Sequence, residues 1–390
     1  MAGVVIVGAG QGGFQAAASL RQEGWTGEIT LIGAEPGLPY QRPPLSKTYL
    51  KAGDAEALNL RPATFFERNA ITLLSGVTVE AIDRVARTVR AGGRGFAYDH
   101  LILATGTRNL RPPVPGLERG LDLRTLADAE RLRAALDRPR RCAVVGGGFI
   151  GLEFAAAART LGHEVTVAEA APRLMARAVS PEMSARFLAM HVERGVGIHL
   201  GATVSAASEE GLRLADGTVI PADLVLVAAG VAPNVELAAD AGLAVANGVV
   251  VDAGLLTADP AISALGDCAC FPDSRDGRLI RLESVQAATD HARLIARRLT
   301  GRPGRYDALP WFWSDQGDWK LQIAGLATPA DDSLVAPNGS VLRTRAGRVV
   351  AVETVNDART HMKSRRLLAG PEAPDVDTML AALAGEPVPS

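Results

Sequence analysis

Two glycine-rich stretches of the chain have the residue types and the spacing that hold a dinucleotide. Each has the form G-x-G-x-x-G and directly follows a short apolar run, at residues 4–7 and 142–145. The glycines are Gly8, Gly10, Gly13, Gly146, Gly148 and Gly151. Glycine permits the tight turn and a close approach of backbone to a pyrophosphate, which then lies at the positive end of the following helix. Two such stretches predict two dinucleotides, and therefore electron transfer from one to the other.

An acidic residue follows each glycine stretch at the spacing expected for a ribose contact. Glu35 lies 22 residues after Gly13, and Glu169 lies 18 residues after Gly151. A carboxylate at the end of the second strand accepts hydrogen bonds from the adenosine ribose. Glu169 would repel the extra phosphate of NADPH, which favours NADH, although the nearby Arg173 could accommodate that phosphate and keeps NADPH open.

Composition sets limits on the class of protein. A chain of 390 residues predicts about two to three domains. The net charge of −2 argues against a nucleic-acid binder, and no apolar stretch approaches a membrane span. Three cysteines and the lack of a signal-like N-terminal segment predict a cytoplasmic protein.

The order of apolar runs predicts the domain plan. Strand and helix patterns alternate after each glycine stretch, and the apolar run 101–104, ending at Thr105-Gly106, is echoed by the run 224–229, ending at Gly230. Beyond residue 310 the pattern changes to alternating strands and terminal helices. We therefore expect an α/β protein with two Rossmann-like nucleotide-binding domains and a small α+β C-terminal domain.

Several motifs resemble those of a known family. The segments 39–47 (PYQRPPLSK), 104–106 (ATG) and 265–267 (LGD) resemble FAD-dependent reductases of the glutathione-reductase structural superfamily, the pyridine nucleotide-disulfide oxidoreductases. The segments 283–288 (ESVQAA) and 310–316 (PWFWSDQ) narrow the resemblance. Together they are similar to putidaredoxin reductase and the ferredoxin reductases of aromatic-ring dioxygenases.

This resemblance implies where the cofactors bind. FAD would occupy a discontinuous domain of residues 1–110 and 235–306, NADH the domain 111–234, and residues 307–390 would form the C-terminal domain. The residues that the resemblance places at the cofactors, besides the glycines and acids named above, are Arg42, Lys47, Ala104, Thr105, Gly106, Asp267, Val285 and Trp313. Asp267 would bind the flavin ribitol, the backbone near Val285 would reach the flavin pyrimidine, and Trp313 would pack near the isoalloxazine. Two alternatives stay open: Asp267 could cap a helix, and Trp313 could be ordinary core.

Lys47 and Glu153 are the candidate catalytic pair. Glu153 should lie on the first turn of the helix after the second glycine stretch, and the resemblance implies that it pairs with Lys47. A cation there would stabilise the reduced, anionic flavin, and the carboxylate would hold the ammonium and help to orient the nicotinamide. The alternative is a structural salt bridge with no kinetic role.

The cysteines and the metal-ligand spacings indicate where the electrons go. Cys142 falls in a predicted strand, and Cys268 and Cys270 lack the C-x-x-C spacing of a redox pair. No zinc or iron–sulfur motif is present, so we expect no metal site. Electrons must therefore leave for a separate carrier, which the resemblance implies is a 2Fe-2S ferredoxin.

The expected partner is acidic and docks transiently, and it would serve a haem-thiolate cytochrome P450 or a Rieske dioxygenase. Two basic groups could steer it, while either could instead be a solvated helix face: Arg293, Arg297, Arg298, Arg302 and Arg305, and then Arg359, Lys363, Arg365 and Arg366. We expect a monomer or a weak dimer.

Two other functions fit the same residues. One is a reductase of rubredoxin or of a small-molecule acceptor, because the acceptor leaves no catalytic signature in the chain. The other is a redox-signalling flavoprotein resembling apoptosis-inducing factor.

Overall fold

The computed structural model describes residues 3–384, and the chain divides into two compact units. The first comprises residues 3–42, 56–108 and 231–308, and the second comprises residues 43–55, 109–230 and 309–384. The chain leaves the first unit in strand Thr107–Asn109 and re-enters it in strand Val231–Pro233. Each unit is described by itself below.

A parallel sheet forms the centre of the first unit. Its strands, in spatial order, are Ile71–Ser75, Ile29–Gly33, Gly3–Val7, Arg94–Leu103 and Ile262–Ala264. Helix Gln11–Gln22 connects two of these strands and packs against helix Val285–Leu299. Burial on both faces explains why the strands are almost continuously apolar.

The other elements of the first unit extend this sheet or cover its ends. Strand Arg94–Leu103 continues into an antiparallel meander with Thr88–Ala91 and Val79–Asp83. A second, small sheet contains Val245–Ala246, Gly248–Val250, Ala269–Pro272 and Leu279–Ile280. The short helices are Ala63–Arg68 and Glu236–Asp240, with 3-10 turns at Glu56–Leu58 and Gly266–Cys268.

The second unit contains a second parallel sheet of the same kind. Its strands, in order, are Val196–Leu200, Glu164–Glu169, Arg141–Val145 and Leu224–Val227. Helix Phe149–Thr160 makes the crossover after Arg141–Val145. An antiparallel sheet of Val204–Ser208, Gly211–Leu214 and Val219–Pro221 follows. The remaining helices here are Thr48–Ala52, Leu126–Ala135 and Pro181–Glu193, with 3-10 turns at Pro43–Ser46 and Leu117–Arg119.

The last part of the second unit is a five-stranded antiparallel sheet with two helices. The strands, in spatial order, are Trp311–Gln316, Trp319–Gly325, Arg348–Val355, Val341–Arg345 and Asp332–Val335. The helices are Ala358–Leu368 and Val376–Ala384. The predicted α/β class with a C-terminal α+β part is therefore confirmed.

Local structure differs from expectation in two places that matter for function. The helices expected after the two glycine stretches begin within them, at Gln11 and Phe149, so Gly13 and Gly151 lie inside the first helical turn. Helix Pro181–Glu193 was not predicted, although Ser180 caps it and Pro181 occupies its first position. Within residues 3–384, no helix has both the length and the apolar character needed to cross a membrane.

Candidate functional site

The first glycine stretch forms a turn that only glycine can make. Gly8 has a φ of +108°, and a Cβ added there would lie 2.1 Å from the carbonyl oxygen of Ala104. A Cβ on Gly13 would lie 1.8 Å from the carbonyl oxygen of Gly8, whereas one on Gly10 would meet nothing within 4 Å. No side chain caps helix Gln11–Gln22. The open backbone at Gly10 and the uncapped helix start fit a pyrophosphate.

The second glycine stretch has nearly the same geometry. Gly146 has a φ of +109°, and a Cβ there would lie 2.3 Å from the carbonyl oxygen of Ala228. A Cβ on Gly151 would lie 2.2 Å from the oxygen of Gly146, while the space at Gly148 is open. Helix Phe149–Thr160 likewise begins without a side-chain cap. The two stretches, called the two cradles below, therefore have equivalent backbone geometry, and each has room for a phosphate.

Glu35 is held by two neighbours from the loop that follows it. The hydroxyl of Tyr40 donates to Glu35 Oε2 at 2.6 Å, and Arg42 Nη2 lies 2.5 Å from Oε1. Burial alone would lower the pKa of Arg42, but Tyr40 and Glu35 raise it above its ordinary value. A carboxylate has about four lone-pair sites, so Glu35 can still accept ribose hydroxyls. Sequence reasoning assigned no role to Tyr40.

Glu169 is bound to the backbone on both sides. Gly147 N donates to its Oε2 at 2.6 Å, and Ala171 N donates to its Oε1 at 2.7 Å. Arg173, the residue that kept NADPH open, donates to the carbonyl oxygens of Val179 and Ala176 at 2.8 and 2.7 Å. Its guanidinium is therefore engaged in the loop rather than directed to a nucleotide phosphate.

The segment Ala104-Thr105-Gly106 is locked by a residue that the sequence did not single out. Thr105 Oγ1 donates to the carbonyl oxygen of Asn234 at 2.7 Å, and Asn234 Nδ2 donates to that of Thr105 at 2.8 Å. Asn234 N also donates to Gly106 O at 2.9 Å. These three bonds fix the backbone beside the Gly8 turn.

Asp267 lies at the carboxyl end of a strand neighbouring this segment, since Ile262–Ala264 pairs with Arg94–Leu103. It is inside the 3-10 turn Gly266–Cys268, whose N-cap is Leu265, so the helix-capping alternative does not apply. Thr107 Oγ1 lies 3.4 Å from Asp267 Oδ2. A half-buried carboxylate at this edge of the sheet suits a polyhydroxylated chain.

A buried histidine supports the Asp267 turn. Gly266 N donates to His291 Nδ1 at 3.2 Å, and the rings of Phe271 and Tyr306 stand edge-on to His291 at 4.7 and 4.3 Å. Burial lowers the pKa of His291 to about 3, so the imidazole is neutral and can accept this hydrogen bond. On the same helix, Val285 is the first residue after the N-cap Ser284, at a helix start that can donate N–H groups.

Lys47 and Glu153 form the predicted ion pair. Lys47 Nζ lies 3.0 Å from Glu153 Oε1, and their side chains are 18% and 4% exposed. Because the helix begins at Phe149, Glu153 is its fifth residue and lies on the second turn, not the first as expected. Two residues missed by sequence reasoning, Ser46 and Ser314, also donate to this carboxylate, at 2.5 and 2.7 Å.

Trp313 is half-buried rather than part of the closed core. Its ring stacks on that of Trp311 at 5.6 Å, with an interplanar angle of 29°. The guanidinium of Arg365 lies over Trp311 at 4.3 Å. An aromatic face of this kind can stack on a planar ligand.

All three cysteines are buried free thiols. Burial raises the pKa of Cys142 to about 11, and it also raises the pKa of Cys268 and of Cys270. Protonated, enclosed thiols are poor nucleophiles, which is the opposite of what a disulfide reductase requires.

The candidate residues fall into two sets. The first unit holds Gly8, Gly10, Gly13, Glu35, Arg42, Ala104, Thr105, Gly106, Asp267 and Val285. The second unit holds Lys47, Gly146, Gly148, Gly151, Glu153, Glu169 and Trp313. Each unit therefore carries one complete cradle with its own strand-end acid.

Comparison with known proteins identifies the family. The model of the pyridine nucleotide-disulphide oxidoreductase family matches residues 2–292. The chain belongs to this family. A second model, the reductase C-terminal domain, matches residues 311–382 of this oxidoreductase.

Individual relatives of this oxidoreductase, and solved structures similar to it, show which members of the family it resembles. It is 49% identical to rhodocoxin reductase of Rhodococcus erythropolis over 380 residues, which cover 94% of this chain and 89% of the relative. The ferredoxin reductase for the CYP199A2 system of Rhodopseudomonas palustris superposes with a TM-score of 0.95 at 45% identity, covering 99% and 100% of the two chains. The reductase in a covalent putidaredoxin reductase–putidaredoxin complex gives 0.92 at 39% identity, covering 98% of each.

The predicted resemblance to putidaredoxin reductase and dioxygenase ferredoxin reductases is thus confirmed. The same comparisons confirm FAD and a nicotinamide nucleotide as the cofactors of this oxidoreductase.

Proposed function

We propose that this oxidoreductase is an NADH-dependent ferredoxin reductase that supplies an oxygenase. One combination of observations carries the proposal: two equivalent phosphate cradles occur in a chain whose three thiols are all buried and protonated. FAD, when bound, would supply two-electron hydride acceptance and one-electron release, and because the three thiols form no redox disulfide, those electrons would pass to an external carrier. Rhodocoxin reductase and the CYP199A2 ferredoxin reductase support this assignment.

The cofactors are assigned to segments of the chain as follows. FAD binds residues 1–110 and 235–306, NADH binds residues 111–234, and residues 307–390 form the C-terminal domain. The Gly8 cradle holds the FAD pyrophosphate, Glu35 its adenosine ribose, and Asp267 its ribitol hydroxyls. Arg42 and the backbone near Val285 complete that set. The Gly146 cradle and Glu169 hold NADH, and Trp313 supplies an aromatic face for the flavin.

Two observations favour NADH over NADPH. Glu169 presents a fixed negative charge beside the second cradle, and Arg173 is engaged by two loop carbonyl oxygens. A 2′-phosphate would meet repulsion from Glu169, and the Arg173 guanidinium is not turned toward it.

The Lys47–Glu153 pair assists hydride transfer. Glu153 fixes the ammonium, whose positive charge favours acceptance of the hydride electrostatically, and the pair orients the nicotinamide. Lys47→Met should slow flavin reduction by NADH in anaerobic stopped-flow measurements and weaken the charge-transfer band. Lys51→Met, at an exposed position four residues away, is the matched control. A Lys47→Met protein with the wild-type rate and band would show that the pair is only structural.

The partner is a small acidic 2Fe-2S ferredoxin that docks transiently on a monomer or weak dimer in the cytoplasm. Several arginines of the two basic groups turn toward their own unit: Arg298 donates to Ser263, and Arg302 pairs with Glu23. Besides the paired Arg302, the exposed members are Arg293, Arg297, Arg305, Arg359 and Arg366. These five are the residues left to steer an acidic protein.

One experiment tests the function directly. NADH-driven reduction of cytochrome c is measured alone and with purified 2Fe-2S ferredoxins, rubredoxin and quinone, at several ionic strengths. A large stimulation by one ferredoxin, falling as salt rises, supports the proposal. Equal stimulation by rubredoxin or quinone would favour the small-acceptor alternative, and slow reoxidation with poor turnover of every carrier would favour the signalling alternative.

A further inference from the structure

The carboxylate of Glu153 lies at the end of an ordered chain of buried hydrogen bonds. We propose that Ser314 and Ser46 are positioning residues for hydride transfer: they fix both carboxylate oxygens of Glu153, so that the Lys47 ammonium is held in one place. Gln316 and His191 hold Ser314 in turn. The inference rests on the proposed reductase function and names residues through which that function would work.

Hydrogen bonds to both carboxylate oxygens hold the Glu153 side chain in one orientation. Its Oε1 accepts from both Lys47 Nζ, at 3.0 Å, and Ser314 Oγ, at 2.7 Å. Its Oε2 accepts from Ser46 Oγ at 2.5 Å. A buried carboxylate needs its lone pairs satisfied, and an ion pair with a flexible lysine alone would define only one of its oxygens. The two serines define the plane and the rotamer of the carboxylate, and hence the position of the charge that it presents to Lys47.

In the series from His191 through Gln316 to Ser314, each side chain donates its hydrogen bond toward Glu153. The single hydroxyl hydrogen of Ser314 goes to Glu153, so Ser314 accepts from Gln316 Nε2 at 3.3 Å. Gln316 Oε1 lies 2.8 Å from His191 Nε2, and because an amide oxygen only accepts, this nitrogen carries the hydrogen. Burial lowers the pKa of His191, which keeps the ring neutral.

The fold explains how these groups meet. Ser314 and Gln316 are two residues apart on strand Trp311–Gln316, so both point to the same face of the sheet. His191 comes from helix Pro181–Glu193, and Glu153 from the helix after the second cradle. The C-terminal sheet therefore supplies the residues that orient an acid on the nucleotide-binding helix.

The decisive variant is Ser314→Ala. We expect the limiting rate of flavin reduction by NADH to fall about tenfold, the size expected for loss of one hydrogen bond to a charged group, while the NADH dissociation constant changes less than about twofold. Ser314→Thr keeps the hydroxyl and should restore most of the rate. Ser364→Ala is the matched control, because Ser364 is an equally buried serine of the same unit whose hydroxyl has no partner among the described residues.

Two further measurements separate positioning from stability. The charge-transfer band between NAD⁺ and the reduced flavin should weaken in Ser314→Ala but not in Ser364→Ala, and thermal unfolding of the two holoproteins should show that both are folded at the assay temperature. Adding Ser314→Ala to Lys47→Met should cause no further loss of rate, because Ser314 acts through that pair. Ser46→Ala, which removes the donor to the other oxygen, provides a second variant should Ser314→Ala fold poorly.

Several outcomes would overturn the inference. The first is a wild-type rate of flavin reduction in both Ser314→Ala and Ser46→Ala. The second is a Ser314→Ala change that lowers this rate by the same factor with and without Lys47→Met. The third is a loss of rate in Ser364→Ala equal to that in Ser314→Ala. Failure of the proposed function would be distinct, because the wild-type flavin would then not be reduced by NADH at all.

Discussion

The carboxylate of Glu169 accepts the amide hydrogen of Gly147 at 2.6 Å, so the strand-end acid is tied directly to the second glycine cradle. This bond fixes a carboxylate beside the second glycine stretch, at the position proposed for the adenosine ribose of NADH. Under that proposal, this carboxylate is the group that favours NADH over NADPH.

Replacing this charge should relax the nucleotide preference. In Glu169→Gln, we expect the ratio of kcat/KM for NADH to that for NADPH to fall about tenfold, equivalent to about 1.4 kcal/mol. Steady-state kinetics with both nucleotides measures the ratio. Glu164→Gln, an exposed position on the same strand, is the control, and an unchanged ratio in Glu169→Gln would assign the preference to other residues.

Asp267 should determine the affinity for FAD. Asp267→Ala removes the carboxylate at the strand end, and loss of a charged hydrogen-bond acceptor should weaken FAD binding by about 10- to 100-fold. Titration of the FAD-free protein, followed by flavin fluorescence, measures this affinity. Asp276→Ala, in an exposed turn of the same unit, should bind FAD like the wild type. Equal affinities for both variants would remove Asp267 from the FAD site.

A buried ion pair in the C-terminal sheet should dominate the stability of that region. Arg343 and Glu353 are 2% and 1% exposed, and Glu353 also accepts from Ser180 N and Oγ. Arg343→Met leaves this carboxylate without its cation and should lower the free energy of unfolding by about 3–5 kcal/mol.

The adjacent Arg345 provides the comparison for that variant. It pairs with Asp331, and because Arg345 is 39% exposed although Asp331 is only 4% exposed, Arg345→Met should cost less than Arg343→Met, about 1–2 kcal/mol. Urea unfolding measures both values, and similar losses would contradict the role of burial.

Buried histidines should make the protein less stable in mild acid. Burial lowers the pKa of His100 and of His291 to about 3, and burial with Arg365 lowers that of His361 to about 4. In the unfolded chain each of these histidines binds a proton near pH 6.5, whereas in the folded chain it stays neutral to a much lower pH. The folded state therefore has its full stability with respect to these groups above pH 6.5 and loses stability as the pH falls. Each histidine contributes a slope of about 1.4 kcal/mol per pH unit.

His361 offers a direct test of this pH dependence. Neither of its ring nitrogens has a hydrogen-bond partner within the described part of the chain, so phenylalanine can replace it without breaking a bond. His361→Phe should reduce the slope between pH 5 and 6.5 by one histidine's share, as measured by urea unfolding at several pH values. A slope equal to that of the wild type would mean that His361 is protonated in the folded state.

The two glycine turns could be predicted because their requirements are local. The turn at Gly8, the open backbone at Gly10 and the strand-end positions of Glu35 and Glu169 depend on a few consecutive residues and a fixed spacing. The helix that begins at Pro181 was missed although it has a serine cap and a proline at its first position, which are recognisable start signals.

The partners of the site residues could not be predicted in the same way. Ser314 and Glu153 are 161 positions apart, and Thr105 and Asn234 are 129 apart. Serine and asparagine occur throughout the chain, and nothing in their local sequence distinguishes those that meet a buried carboxylate or a cofactor loop.

The amino-acid sequence by itself determined the α/β class, the two glycine turns and the lack of a C-x-x-C cysteine pair, because backbone conformation at glycine and residue spacing are short-range properties. Only the tertiary structure decided that Arg173 is engaged by its own loop, that His191 and His291 are neutral, and that two serines clamp Glu153. Those outcomes depend on burial and on which distant strands and helices bring their side chains together. Desolvation and hydrogen bonding across such contacts then set the charge and the orientation of each group.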